Sequence, residues 1–135
     1  MIKEKLDCVL LIDDEDTVNF YNEFILKDRG VTDHVVKAEN GEEGLAYLKR
    51  CAEEGLPFPN LIFLDINMPV MNGFEFIEAY EALPNGHQAD ALVVMLTTSM
   101  HPEDLKRAKQ FNSIKEYVYK PLIPDRLFEV IEKFF

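Results

Sequence analysis

The sequence has no apolar run long enough to cross a membrane or to serve as a secretory signal. The run near the N-terminus covers only Cys8–Ile12, and no later segment reaches the roughly 18 apolar residues that a membrane helix needs. Cysteine is scarce as well, because Cys8 and Cys51 are the only two and do not have the spacing of metal ligands. This usage favours free thiols in a reducing compartment, so we predict a cytoplasmic protein.

Basic residues are outnumbered by acidic ones. The 135 residues include 14 Lys and Arg against 25 Asp and Glu, which gives a net charge of −11. Nucleic acids and anionic membranes attract basic surfaces, so we expect neither to bind this chain directly. The length and the apolar content of 47% fit a single globular domain over residues 1–135.

Short apolar runs alternate with stretches of helical spacing. Continuous runs of this length are typical of strands buried on both faces of a parallel sheet. The predicted strands are Cys8–Ile12, His34–Val36, Leu61–Leu64, Ala91–Leu96 and Tyr117–Tyr119. The predicted helices are marked by Val18, Tyr21, Phe24 and Ile25, by Leu45–Ala52, by Phe74–Leu83, by Leu105–Phe111 and by Leu127–Phe134. We expect the first three helices to end at Gly30, at Gly55 and at Pro84-Asn85-Gly86.

Five strand–helix alternations predict an α/β fold, a doubly wound parallel sheet of five strands with five helices. Ligands of such sheets bind beyond the carboxyl ends of the strands. Asp13 and Asp14 follow the first strand, Asp65 follows the third, Thr97 the fourth and Lys120 the fifth. The second strand ends without a comparable acid.

The three acids converge if the first and third strands are neighbours. Each pair of carboxylates about 4 Å apart would repel by roughly 4 kcal/mol at an effective dielectric constant near 20. Such a cluster has to bind a proton, spread apart or hold a cation, and its oxygen ligands suit Mg²⁺. Lys120 and Thr97 would add an anion site beside Asp65, a combination that suits transfer of a phosphoryl group to the carboxylate.

Each of these features has a simpler interpretation when it is taken alone. An acid pair or a threonine at a strand end is commonly a helix cap, and Lys-Pro is commonly a turn. Asp65 is less easily explained in that way, because an unpaired acid at the end of an apolar strand is costly. The occurrence of all the features in order, each at a strand end, favours a functional site.

Four segments, Val9–Asp16, Leu61–Phe76, Val93–Ser99 and Tyr117–Leu122, resemble the receiver domain of bacterial two-component response regulators. The resemblance covers essentially the whole chain and is strongest to stand-alone receivers of the chemotaxis-regulator type. It implies a flavodoxin-like fold with strand order 2-1-3-4-5. It also implies two-component phosphorelay signalling.

The resemblance implies that Asp65 is the phosphoacceptor. The phosphoryl group would come from a phosphohistidine on a sensor histidine kinase or on a histidine phosphotransfer protein. Asp14 and Asp65 would bind Mg²⁺ through their carboxylates, Asp13 mainly through water, and Asn67 through its main-chain carbonyl. Mn²⁺ or Ca²⁺ can substitute for Mg²⁺ in crystals of such proteins.

The resemblance further implies that Thr97 and Lys120 contact phosphoryl oxygens and that the Lys120–Pro121 bond is cis. Tyr117 would be the switch residue, turning inward as Thr97 moves towards the phosphoryl group. The face formed by helix 4, strand 5 and helix 5 would then signal to a downstream protein that we do not identify. We expect a monomer or a phosphorylation-dependent dimer.

Two residues depart from the pattern of the family. Thr98 stands where a small residue is common, and its side chain could narrow access to Asp65. Asn72 stands where an acid often precedes the glycine, and Asn suits a turn because it tolerates the left-handed region.

Four alternatives remain open. A Mg²⁺-dependent phosphatase with an Asp nucleophile usually has an acid two residues later, where this chain has Asn67. A binding-only pseudo-receiver would usually have lost the acceptor, the acid pair or the lysine. A flavin or nucleotide binder would need a phosphate-cradling loop where Asp13–Asp16 repels phosphate. The chain could also be the receiver fragment of a larger regulator or hybrid kinase. We expect that the protein is not an enzyme and that its chemistry is limited to phosphoryl transfer to the chain itself and slow self-dephosphorylation.

Overall fold

The computed structural model describes residues 4–84 and 91–135, which form one five-stranded parallel sheet with helices on both faces. The strand order is β2-β1-β3-β4-β5, which confirms the predicted fold class. The strands are β1 (Val9–Ile12), β2 (Val35–Ala38), β3 (Leu61–Leu64), β4 (Leu92–Thr97) and β5 (Ile114–Tyr119). The helices are α1 (Asp16–Asp28), α2 (Gly41–Glu54), α3 (Gly73–Glu81), α4 (Pro102–Ala108) and α5 (Pro124–Phe134).

The three central strands are buried along their whole length, because helices cover both faces of the sheet. One core lies between the sheet and α2, α3 and α4, and the other lies between the sheet and α1 and α5. Every side chain of β1 and β3 therefore meets an apolar neighbour, which is why these strands read as unbroken apolar runs. None of the helices within residues 4–84 and 91–135 has the length and apolar content to cross a membrane.

The edge strand β5 is longer than predicted. It starts at Ile114 rather than at Tyr117, because Lys115 and Glu116 belong to the strand. An edge strand faces solvent over part of its surface, so polar residues interrupt the apolar run that the prediction relied on. The isolated apolar signal thus captured only the second half of the strand.

The helices α3 and α4 are shorter than predicted. The helix α3 ends at Glu81, so Leu83 lies beyond it; of the predicted stop, Asn85 and Gly86 lie outside the described residues. The helix α4 ends at Ala108, and Phe111 follows in a turn. From that turn Phe111 stacks on Phe74 with ring centroids 6.2 Å apart. Its apolar side chain thus serves the core without belonging to the helix.

The helix α1 buries a face that only partly matches the one that its apolar spacing predicts. Tyr21 and Phe24 of the predicted stripe are 42% and 58% exposed. The residues turned towards the sheet are Asn19, Asn22, Ile25 and Leu26. Two of these four are polar, and Ile25 is the residue that they share with the apolar stripe, so the helix is confirmed but its buried face only partly follows the stripe. The contacts of Asn19 described below explain why a polar residue is buried there.

Candidate functional site

The sheet register brings the acids of two different strands together. Ile12 lies opposite Leu64, so Asp13 and Asp65 leave neighbouring strands at the same level. The Asp65 amide donates to the Ile12 carbonyl at 3.0 Å, which extends the hydrogen-bond ladder between β1 and β3 to Asp65. Asp14 completes the group, and carboxylate oxygens of the three acids lie within 4.8 Å of one another.

Lys120 reaches the acids from the end of β5. Its Nζ lies 2.5 Å from Asp13 Oδ2 and 3.6 Å from Asp65 Oδ2, and its side chain is 9% exposed. The Lys120 amide donates to the Thr97 carbonyl at 2.9 Å, which ties the end of β5 to the end of β4. The Lys120–Pro121 peptide bond is cis. The ammonium group thus offsets part of the repulsion among the carboxylates.

Burial changes the acid–base behaviour of the two central groups. Burial of the Asp65 carboxyl raises its pKa to about 6, with Asp13 and Asp14 adding to the rise and Lys120 opposing it. Burial acts to lower the pKa of Lys120, but the contacts with Asp13 and Asp65 outweigh it, so that pKa is raised. Lys120 therefore stays charged while Asp65 ionises less readily than an ordinary aspartate.

The main chain around Asp65 is closely held. The Ile66 amide donates to Asp65 Oδ1 at 2.9 Å, and the Gly73 amide donates to the Ile66 carbonyl at 2.8 Å. A Cβ atom on Gly73 would lie 2.2 Å from the Asp65 carbonyl oxygen, a distance that no side chain tolerates. The start of α3 can therefore approach Asp65 this closely only because residue 73 is glycine.

Asn72 has a different local role from the one that its sequence position suggested. Its φ is −79°, outside the left-handed region, which Val70 occupies instead with a φ of 67°. The Asn72 side chain accepts from the Glu75 amide at 2.9 Å, and the Glu75 carboxylate accepts from the Asn72 amide at 3.0 Å. Asn72 thus begins α3 in a capping box, because its side chain satisfies an otherwise unpaired amide.

The family model of the response regulator receiver domain matches residues 9–132. The chain belongs to this family. Receivers act in two-component systems, in which they interact with histidine kinases or phosphotransfer proteins.

Individual relatives agree with the family assignment of this receiver. A two-component response regulator from Cytophaga hutchinsonii has a TM-score of 0.86 and 32% identity, covering 96% of this chain and 97% of that one. Protein PilH of Pseudomonas aeruginosa is 28% identical over 91% of this chain and 93% of its own length. The Mn²⁺-bound form of the response regulator Rcp1 has a TM-score of 0.71 and 27% identity, covering 94% of this chain and 90% of that one.

The acids of this receiver fit a hard divalent cation. Asp13 and Asp65 are buried, whereas Asp14 is exposed and leaves one side of the cluster open to solvent. Three carboxylates supply only oxygen ligands, and an open side leaves room for the waters that Mg²⁺ keeps. Asn67 lies in the same loop as Asp65 and is exposed, and the metal contact of its carbonyl stays a prediction.

Thr97 and Tyr117 of the receiver are linked through Ser99. Thr97 is fully buried, and its Oγ1 accepts from the Ser99 amide at 3.0 Å. The Tyr117 hydroxyl donates to the Ser99 carbonyl at 3.2 Å. Thr98, which stands between Thr97 and Ser99 in the sequence, is exposed. The two residues that the resemblance names as the switch thus bond the same neighbour.

Asn19 belongs to this site although its sequence position did not indicate it. Its Nδ2 donates to the Asp13 carbonyl at 2.9 Å, while the Glu15 amide donates to Asp13 Oδ1 at 2.9 Å. These bonds hold the loop between β1 and α1 around the acid pair. A signal was present in the sequence, because Asn19 and Asn22 stand three residues apart, the spacing of a helix face.

Proposed function

We propose that this receiver accepts a phosphoryl group on Asp65 from a phosphohistidine of a sensor histidine kinase or a histidine phosphotransfer protein, in a Mg²⁺-dependent reaction. The observation that supports this most directly is the meeting of Asp65 with two further acids and Lys120 at one edge of the sheet. A metal site without a lysine, or a lysine without the acids, would not suit the same chemistry.

In the proposed step, a carboxylate oxygen of Asp65 attacks the phosphorus atom. The new phosphorus–oxygen bond forms as the phosphorus–nitrogen bond to imidazole breaks. The electron pair leaves with that nitrogen, and the ring, protonated on its other nitrogen before the transfer, departs as neutral imidazole. The product is an acyl phosphate on Asp65. The attacking form is the carboxylate, and a pKa of about 6 leaves most of Asp65 ionised at neutral pH.

The residues around Asp65 would stabilise the charge of the phosphoryl group. Lys120, already within 3.6 Å of the carboxylate, would pair with one oxygen, and the Thr97 hydroxyl would donate to another. Asp13, Asp14, Asp65 and the Asn67 carbonyl would hold the cation. When bound, Mg²⁺ would neutralise charge on the phosphoryl oxygens.

The receiver would not turn over external substrates. Asn67 stands two residues beyond the nucleophile, where a phosphatase of this chemistry would need an acid to transfer a proton. Its chemistry would be limited to phosphorylation of its own Asp65 and slow self-dephosphorylation.

The output would pass through the face formed by α4, β5 and α5 to a downstream protein in the cytoplasm. Tyr117 on β5 bonds the chain before α4, and Glu116 on the same strand bonds Lys133 of α5 at 3.0 Å. A change at Tyr117 would therefore reach both flanking helices. The same face could serve a phosphorylation-dependent dimer of a chain that is otherwise monomeric.

Phosphorylation with acetyl phosphate and Mg²⁺, followed by intact mass measurement, tests the proposal. The parent should gain one phosphoryl group, and a chelator should abolish the gain. Asp65→Asn should not be labelled, whereas the matched variant Asp125→Asn, at an exposed acid of α5, should be labelled like the parent.

Equal labelling of Asp65→Asn and the parent would overturn the assignment of the acceptor. Normal Mg²⁺ binding by a parent that no donor labels, including a phosphorylated histidine phosphotransfer protein, would favour the binding-only pseudo-receiver.

A further inference from the structure

Ser99, in the connection between β4 and α4, is bonded through each of its polar groups. Its amide donates to Thr97 Oγ1 at 3.0 Å, and its carbonyl accepts from the Tyr117 hydroxyl at 3.2 Å. Its own hydroxyl donates to Asp104 Oδ2 at 2.5 Å. Ser99 is only 8% exposed, so water does not readily replace these partners. Its position therefore governs Thr97 and Tyr117 together.

The bond to Asp104 differs from the other two because its acceptor is a carboxyl group. Hydrogen bonds to an ionised carboxylate are shorter and roughly twice as strong as those between neutral groups. Asp104 lies in the first turn of α4 and is half-buried, so its carboxylate is partly protected from water. Because the helix carries this carboxylate, the bond fixes the connection to a rigid element.

We propose that Asp104 is a positioning residue for the phosphoryl site: through Ser99 it holds the connection between β4 and α4. It thereby fixes the Thr97 hydroxyl, which would donate to the phosphoryl group, and keeps the Tyr117 hydroxyl on the Ser99 carbonyl. This inference rests on the proposed function only for its effect on phosphorylation. The placement of Tyr117 is a property of the unphosphorylated chain.

The Thr97 hydroxyl is the group through which this positioning would act. Its oxygen accepts from the Ser99 amide, so its proton remains available to donate to a phosphoryl oxygen. A donor that is already oriented costs no reorganisation when charge develops on the phosphoryl group. If Ser99 is released from Asp104, the Thr97 hydroxyl loses that orientation and phosphorylation slows.

The Tyr117 hydroxyl gives a second view of the same bond. Burial above all, with a further contribution from the Asp104 carboxylate, raises the pKa of Tyr117, which keeps its hydroxyl protonated and able to donate. A Ser99 carbonyl that is free to move would no longer fix that hydroxyl. The ring environment of Tyr117 should therefore report the loss of Asp104 without any phosphorylation.

The alternative explanation is that Asp104 only stabilises the start of α4. The N-cap residue His101 makes no side-chain capping bond, and its amide lies 3.4 Å from Ser99 Oγ, so a purely local role is conceivable. If that role were the whole function of Asp104, replacing Asp104 would lower the stability of α4. It would not change the position of Thr97 or Tyr117. The test has to separate these two readings.

The test compares Asp104→Ala, Ser99→Ala and the double variant in two measurements. The first is the rate of labelling by acetyl phosphate with Mg²⁺, and the second is the ring signal of Tyr117 in carbon-13 tyrosine spectra of the unphosphorylated protein, assigned with Tyr117→Phe. Each single variant should label roughly fivefold more slowly, and the double variant no more slowly than either, because both remove one interaction. Both should shift the Tyr117 signal.

Two controls complete the experiment. Glu103→Ala removes the same charge from the same turn at an exposed position and should match the parent in both measurements. Asp104→Asn keeps an oxygen that can accept from Ser99 and should recover most of the rate. If Asp104→Ala behaves like Glu103→Ala in both measurements, or if the single effects simply multiply, the proposal is wrong. A parent that neither acetyl phosphate nor a phosphorylated histidine phosphotransfer protein labels would refute the proposed function, while the Tyr117 signal would still decide the role of Asp104.

Discussion

The strands β1 and β3 are buried along their whole length, and the acids that follow them, Asp13 and Asp65, are only 4% and 7% exposed. The two regions are equally removed from water, yet they act on stability in opposite directions. Apolar side chains in the middle of the sheet gain about 25 cal/mol for each Å² buried. Carboxylates at the carboxyl ends of these strands repel one another and lose hydration, which is why the pKa of Asp65 is raised. Burial of these carboxylates thus lowers stability, a cost that the proposed chemistry would explain.

The largest expected effect belongs to the middle of the sheet. Phe63→Ala removes a ring that is 2% exposed and leaves a cavity in β3, so the free energy of unfolding should fall by about 3–5 kcal/mol. Denaturation by urea measures the change. Phe24→Ala, at a ring that is 58% exposed, is the matched control and should change stability by about 0.5 kcal/mol or less. A similar loss in both variants would contradict the burial described for α1 and β3.

A smaller change in the free energy of unfolding, an increase, is expected at the carboxyl end of β3. In the metal-free protein at pH 7.5, Asp65→Asn should raise the free energy of unfolding by about 1–3 kcal/mol, because it removes a buried charge. The folded-state pKa of about 6 lies above the ordinary value of 3.8, so the folded state binds the proton more tightly than the unfolded one. The destabilisation by Asp65 is therefore absent below pH 4, grows as pH rises, and is complete above about 6.

Two measurements check this prediction. Unfolding of the parent and of Asp65→Asn across pH 4–8 should give curves that meet at the acid end and separate towards neutral pH. Added Mg²⁺ should close the difference or reverse it, since at a hundredfold excess over its dissociation constant it stabilises the parent by about 2.7 kcal/mol. An Asp65→Asn variant less stable than the metal-free parent at pH 7.5 would show that the buried Asp65 carboxylate does not destabilise the fold.

The smallest expected effect sharpens the comparison, because it concerns a polar group near the carboxyl end of β3 that does stabilise the fold. Asn72→Ala removes the side chain that caps α3 and should lower the free energy of unfolding by about 1 kcal/mol. Thermal unfolding is sufficient to detect it, with the exposed Asn112→Ala as a control that should have little effect. No difference between the two would mean that the capping box does not contribute.

The sequence was most informative where one physical requirement acted alone. The predicted bounds of Leu61–Leu64 are those of β3, because a strand buried on both faces has to be apolar at every position. The same requirement fixed where Asp65 emerges. The convergence of Asp13, Asp14 and Lys120 on it followed from the strand order, which the apolar runs alone did not supply.

Prediction was least successful where two requirements competed. The buried face of α1 has to cover the sheet and also to bond the Asp13 carbonyl, so it carries Asn19, a polar residue outside the apolar stripe that marked the helix. Ser99 and Asp104 bond across a connection whose path cannot be read from local sequence. Residues that act through a neighbour's main chain leave little trace in a pattern of apolar and polar positions.

The absence of a side chain at Gly73 has a mechanical consequence. The helix that starts there lies against the main chain of Asp65 so tightly that not even a methyl group would fit between them. Asp65 is therefore anchored. If it is phosphorylated as proposed, we expect the groups that answer the phosphoryl group to move while Asp65 stays still. Thr97 and Lys120 both approach it from the β4 and β5 side. A proposed signal that begins at Asp65 would then start on the β4 and β5 side of the sheet.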